Sequence, residues 1–217
     1  MPQLHYAQIR YLSIVVLAWL TVFTLTRSLL LVSHLADANI SISNLMGLYA
    51  IGMIYDLSFL LYATLPMALY LLLCPRAIWQ QRWHKKFIAS AMALSLFVML
   101  FTAVAEWLFW DEFGVRFNFI AVDYLVYSEE VINNILESYP IYPLLALLAI
   151  LAIGLTFILR RPLAAALDAP RMAPKQALYS LGVLLLLAGL SSAFVGQNSP
   201  RGIGGNAYQR ELASNGP

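Results

Sequence analysis

Residues Tyr11 to Val32 read YLSIVVLAWLTVFTLTRSLLLV, with Arg27 as the single charge in the run. A helix needs about 20 predominantly apolar residues to cross roughly 30 Å of hydrocarbon, where lipid offers no partner to an exposed backbone N–H or C=O. This run has the length, and a guanidinium inside it calls for a carboxylate on another helix. Four further runs of the same kind follow, near Leu45 to Leu73, Phe87 to Phe109, Tyr142 to Leu159 and Ala177 to Val195. The expected fold is all-α: a polytopic membrane protein with five transmembrane helices and short interfacial helices between spans three and four.

Composition agrees, since 61% hydrophobic residues against 11% charged lies outside the range of soluble globular chains. With 217 residues mostly in spans, the chain builds one bundle and has no room for a second large domain. Residues 1–195 are expected to form the transmembrane domain and 196–217 an outer linker. Only His5 and Arg10 carry positive character ahead of the first span, and no small-residue cleavage site follows it, so it reads as a retained anchor. Cys74 is the only cysteine, which excludes an intrachain disulfide and leaves packing as its role.

The formal charge of +2 hides a strong asymmetry and gives no reason to expect nucleic acid as a partner. Arg76, Arg82, Lys85 and Lys86 crowd the second connection; Arg160, Arg161, Arg171 and Lys175 crowd the fourth. The first connection has no Lys or Arg, and the third sets Arg116 alone against Asp111, Glu112, Asp123, Glu129, Glu130 and Glu137. Cytoplasmic loops carry the excess of Lys and Arg, so the N-terminus is expected inside and the C-terminus outside. Trp107, Trp110 and Tyr142 at the outer edge, with Trp79 and Trp83 at the inner one, fit interfacial belts. Pro162, Pro170 and Pro174 make the fourth connection read as a loop.

The third connection is long for a structureless link. Ile120, Tyr124, Tyr127, Val131 and Ile135 recur at steps of three and four, which aligns one apolar stripe on helical geometry. Ser128 with Glu129 and Glu130 reads as an N-cap and acidic first turn, and Tyr139-Pro140 ends the pattern. Two interfacial helices over about 111–139, hinged near Ser128, are one reading. A re-entrant cap that seals the bundle is the other.

Arg27, Asp56 and Glu106 fall in the outer half of spans one, two and three. Each costs about 2.5 to 3.5 kcal/mol at a helix centre, so each needs a reason to be there. An Arg27 to Asp56 pair facing the interior is expected, either as a structural ion pair that fixes helix register or as part of a polar pocket for a lipid headgroup, with side chains that snorkel outward as the alternative to pairing. Arg116, Asn118, Asp123 and Tyr124 form the candidate headgroup site. Arg116 either grips a phosphate bidentately, with Asn118 as a neutral hydrogen-bond partner, or pairs with Glu112 or Asp123.

Catalytic chemistry is not legible. His5, His34 and His84 fall at different ends of spans, no HExxH or paired-Cys motif exists, and no Ser, Thr or Cys matches a base by motif. Gly202, Gly204 and Gly205 lack the Lys-Ser/Thr of a phosphate loop and read as linker.

Three stretches carry a resemblance. They are Tyr55-Asp56-Leu57 in span two, the run from Glu112 to Tyr127 (EFGVRFNFIAVDYLVY) continued from Glu130 to Pro140 (EVINNILESYP), and the tail from Asn206 to Gly216 (NAYQRELASNG). Together they resemble the membrane part of the lipoteichoic acid synthase and phosphoglycerol transferase family, whose catalytic domains belong to the alkaline phosphatase and sulfatase superfamily. The middle stretch is the long and specific one. The resemblance implies a bacterial cytoplasmic membrane, phosphatidylglycerol as lipid partner, and an outer catalytic domain with a divalent metal and a Thr nucleophile. That domain would begin where this chain stops, so a piece of a longer protein is expected, and no metal or nucleophile carries over to these residues. A sulfatase-type protein of unknown acceptor shares the same residues. From a different class, a self-contained transporter subunit or assembly scaffold also fits five spans with embedded charges.

Overall fold

The computed structural model describes residues 6–33, 42–113, 133 and 136–194. Eight helices order the described residues: α1 Ala7–Ser33, α2 Ile42–Ala63, α3 Leu65–Leu73, α4 Arg76–Trp79, α5 Arg82–Phe113, α6 Ile141–Ile158, α7 Arg160–Leu167 and α8 Pro174–Phe194. Five of them, α1, α2, α5, α6 and α8, are long and apolar enough to cross a membrane. The protein is all-α and polytopic. At 1.5 Å per residue the 27 residues of α1 reach about 40 Å and the 32 of α5 about 48 Å, so both extend beyond the hydrocarbon.

Span two departs from the single helix expected over Leu45 to Leu73. Pro66 has no N–H and its ring crowds the carbonyl four residues back, so the helix is interrupted at Thr64. Thr64 keeps the break satisfied in an apolar setting. Its N–H donates to the Leu60 carbonyl at 3.0 Å, its hydroxyl donates to the same oxygen at 2.6 Å, and its own carbonyl accepts from the Ala68 N–H at 2.8 Å. α3 then runs to Leu73, and Cys74 turns extended (ψ 124°) ahead of Pro75, as a residue before proline does.

The fourth connection is not the plain loop its prolines indicate. Pro162 is the third residue of α7, inside the first turn, where an N–H has no intrahelical partner to lose. Leu163, Ala166 and Leu167 are buried while Arg160, Arg161 and Asp168 are exposed, the pattern of a short helix lying against the bundle.

The helices stand in a row. α1 is in the middle, with α5 on one side and α2–α3 on the other; α6 packs outside α5, and α8 outside α2–α3. Burial follows this order, from 33% of the α1 span to 11% for α6 and α8. Helices apolar on every face at the two ends of the row fit a bilayer setting. Tyr11, Val15, Leu71, Ile88, Met92 and Leu96 form the heart of the main core, where α1, α3 and α5 meet. Polar ties cross between spans. The Trp19 indole N–H donates to Ser95 Oγ at 2.7 Å, and the Tyr62 hydroxyl donates to the Ala188 carbonyl at 2.5 Å.

The face of the bundle where α1 and α5 begin and α6 ends is basic. There the Ala7 N–H donates to the Pro170 carbonyl at 2.8 Å, Lys85 Nζ meets Asp168 Oδ1 at 2.7 Å, and the Trp79 indole N–H donates to the Leu167 carbonyl at 3.2 Å. These contacts gather the start of α1, α4, the start of α5 and α7. At the other end α5 continues past Phe109 to Phe113, so Asp111 belongs to a span rather than to a separate interfacial helix. Residues 136–138 are helical. Residues 114–132 and 134–135 of the expected interfacial segment, and the linker 196–217, lie outside the described residues.

Candidate functional site

The embedded charges of spans one and two meet. Arg27 on α1 donates from Nη1 to Asp56 Oδ2 at 2.8 Å and from Nη2 to Asp56 Oδ1 at 2.9 Å, and both residues are only 1% exposed. This is the two-pronged guanidinium–carboxylate geometry, the strongest form of the pair. Gly52, one turn before Asp56 on α2, makes room for it. A Cβ there would stand 2.7 Å from Arg27 Nε and Nη1 and closer still to the guanidinium carbon. A second tie lies next to the pair, Ser28 Oγ to the Tyr49 hydroxyl at 2.7 Å.

Glu106 is also buried, at 3% exposure, on α5. Trp110, one turn further along α5, clusters with Leu30 and Leu48. Since Arg27 lies one turn before Leu30, Glu106 and Arg27 sit at similar depth on neighbouring helices. The structure thus brings Arg27 and Asp56 into contact, buries Glu106 at their level, and covers this region with an apolar layer of Leu30, Leu31, Leu48 and Trp110.

This arrangement holds helices together. A buried ion pair repays its desolvation only with such geometry, and losing one partner leaves an uncompensated charge. Both Asp56 oxygens face the guanidinium, so the carboxylate is engaged rather than open to a cation. Among the described residues no three His, Cys, Asp or Glu side chains gather as metal ligands. Arg116, Asn118, Asp123 and Tyr124, the candidate headgroup residues, lie outside the described residues.

A second polar cluster, at the basic end, is missing from the sequence reading. Arg171 Nη2 donates to the Cys74 carbonyl, and its guanidinium lies 4.5 Å from the Trp79 ring centroid. His84 is fully buried, with Nε2 at 3.8 Å from Cys74 Sγ and its ring 5.0 Å from that of Trp79. Gln8 Oε1 accepts from the Met172 N–H at 3.2 Å. Burial pushes the Cys74 thiol up, which the nearby Arg171 charge opposes; burial likewise lowers Arg171. The separate parts carried signals of other things, Trp79 of a belt and Arg171 of orientation, and nothing local joins residues 97 positions apart.

Compared with known proteins, the chain matches no protein-family model, no curated protein and no solved structure.

Proposed function

We propose that this chain is the membrane domain of an outward-facing phosphoglycerol transferase, one that anchors the enzyme and helps present phosphatidylglycerol to an outer catalytic domain. The observation that carries the reading is the stretch from Glu112 to Pro140, set between the third and fourth spans of a five-span all-α domain. The same layout belongs to the family that the stretch resembles. Asp56 of Tyr55-Asp56-Leu57 adds support, because it is the residue that locks α2 to α1. In this reading the basic end faces the cytoplasm of a bacterial cell, the Glu112 to Pro140 stretch lies at the outer leaflet, and Arg116 with Asn118 contacts the lipid phosphate. Any divalent metal belongs to the outer catalytic domain.

The test has two arms. The purified chain, titrated with phosphatidylglycerol and phosphatidylcholine and weighed by native mass spectrometry, should favour the anionic lipid, and Arg116→Ala and Asn118→Ala should reduce that preference. Folded variants that keep the parent's preference overturn the headgroup site. Reading the gene beyond codon 217 decides between classes: several hundred further codons with metal-binding residues support the enzyme, and an immediate stop supports a self-contained transporter subunit or scaffold.

A further inference from the structure

A groove of about 420 Å³ opens between α5, α6 and α7 at the basic end of the spans. That is within the range of roughly 300 to 1,000 Å³ typical of small-ligand sites. Its wall on α5 is Lys85, Ala89 and Ala93, spaced four residues apart and therefore on one helix face. Its wall across the groove is Ile153 and Phe157 of α6, followed by Arg160 at the start of α7. Both walls have the same order. Moving in from the helix ends, a cation comes first, then apolar side chains deeper in the span.

The two charged residues that line the groove are both basic. The Arg160 guanidinium lies 3.8 Å from the Phe157 ring centroid, which holds the charge over the groove. Lys85 shares its charge with Asp168 at 2.7 Å, and both of these side chains are more than half exposed. Lys85, Arg160 and Asp168 together leave one net positive charge at the mouth. Below it, Ala89 and Ala93 keep the space open that larger side chains would fill.

We infer that this groove holds an anionic phospholipid from the leaflet at the basic end, its phosphate at Lys85 and Arg160 and an acyl chain along Ala89, Ala93, Ile153 and Phe157. The charge complementarity selects the headgroup: a net positive mouth attracts a headgroup with net negative charge and gains little from a zwitterion. The site is at the opposite end of the spans from the stretch between α5 and α6, and it stands whether or not that stretch binds lipid.

The test is native mass spectrometry of the full chain in detergent, titrated separately with phosphatidylglycerol and phosphatidylcholine, with circular dichroism to verify folding. Two variants probe the groove, Lys85→Gln with Arg160→Gln, and Ala93→Leu alone. A basic residue near a headgroup contributes roughly fivefold in affinity, and Asp168 offsets part of that. The double charge variant should therefore lose about fivefold to tenfold of the preference for phosphatidylglycerol while still taking up lipid. Ala93→Leu, with its charges intact, should lose bound lipid of both kinds. Arg116→Ala, measured alongside, should leave this effect unchanged, which separates the groove from the stretch between α5 and α6. Equal uptake of the two lipids by the parent, or an unchanged preference in the charge variant, overturns the inference and leaves only loosely associated lipid.

Discussion

Gly52 and Arg27 compete for one volume. The guanidinium of α1 occupies the place where a side chain on α2 would begin, so the glycine is the condition for the two-pronged contact with Asp56. An arginine tip is normally flexible enough to step aside. Here two hydrogen bonds to a buried carboxylate hold it.

Gly52→Ala should therefore destabilise the domain although alanine is the better helix former by about 1 kcal/mol. Displacing the guanidinium loosens a buried pair, and the net loss should be on the order of 1 to 3 kcal/mol. In an Arg27→Ala background the space is empty, and the same substitution should be neutral or slightly stabilising. Thermal unfolding in detergent of the four proteins measures this coupling. Equal effects in both backgrounds would show that Arg27 does not fill the space in solution.

The pair itself is tested by Arg27→Leu, Asp56→Leu and the double variant. Each single change removes one partner of the buried two-pronged contact, at a cost of about 3 to 5 kcal/mol. The double change replaces both by apolar groups and should be milder than either single one. Unfolding temperatures that fall additively would count against the pair.

The five spans and the Arg27–Asp56 contact were legible for the same reason. Crossing lipid imposes a length that any 20-residue window reveals, and a charge within that window has to find its opposite. With few embedded charges to choose from, shared depth made Asp56 a partner for Arg27, although depth does not separate Asp56 from Glu106. The lateral order of the helices left no such trace, because α6 and α8 are apolar all round and neither names its neighbour. α7 was hidden by Pro162, which reads as a breaker until it is placed in a first turn. The Cys74, His84 and Arg171 cluster depends on chain ends that only the assembled bundle brings together. The headgroup residues Arg116, Asn118, Asp123 and Tyr124 rest on the sequence alone.

Cys74 gives a chemical readout of that cluster. Its side chain is buried, and burial moves the thiol above its ordinary range. Since the thiolate is the reactive form, maleimide labelling of the native protein near neutral pH should be slower than labelling in denaturant by at least about tenfold. The stability linkage has a definite sign. A thiol whose pKa is higher in the folded state favours folding fully below its unfolded value, and that contribution is lost as pH rises toward the folded value. Heating the domain at increasingly alkaline pH should therefore unfold it earlier, and replacing Cys74 with Ala should remove that part of the pH dependence. Rapid labelling of the native protein would mean that this end of the bundle is open.

Orientation is the last expectation, and it rests on where the charges gather. Nine of the 13 Lys and Arg residues are at the end that holds the start of α1 and the helices α4 and α7: Arg10, Arg76, Arg82, Lys85, Lys86, Arg160, Arg161, Arg171 and Lys175. Asp168 is the acidic residue that joins them there. Short loops rich in Lys and Arg stay on the cytoplasmic side during insertion, and with two such loops agreeing, a single substitution should not invert the domain. A reporter active only outside the cytoplasm should therefore be silent when inserted between Gln80 and Lys86 and active when fused after Pro217. Replacing Arg76, Arg82, Lys85 and Lys86 with Gln, while adding Lys residues to the segment from Ser33 to Asn44, should produce a mixed population. An active reporter at Gln80 to Lys86 in the unaltered protein would reverse the orientation and move the Glu112 to Pro140 stretch to the cytoplasmic face, away from any outer catalytic domain.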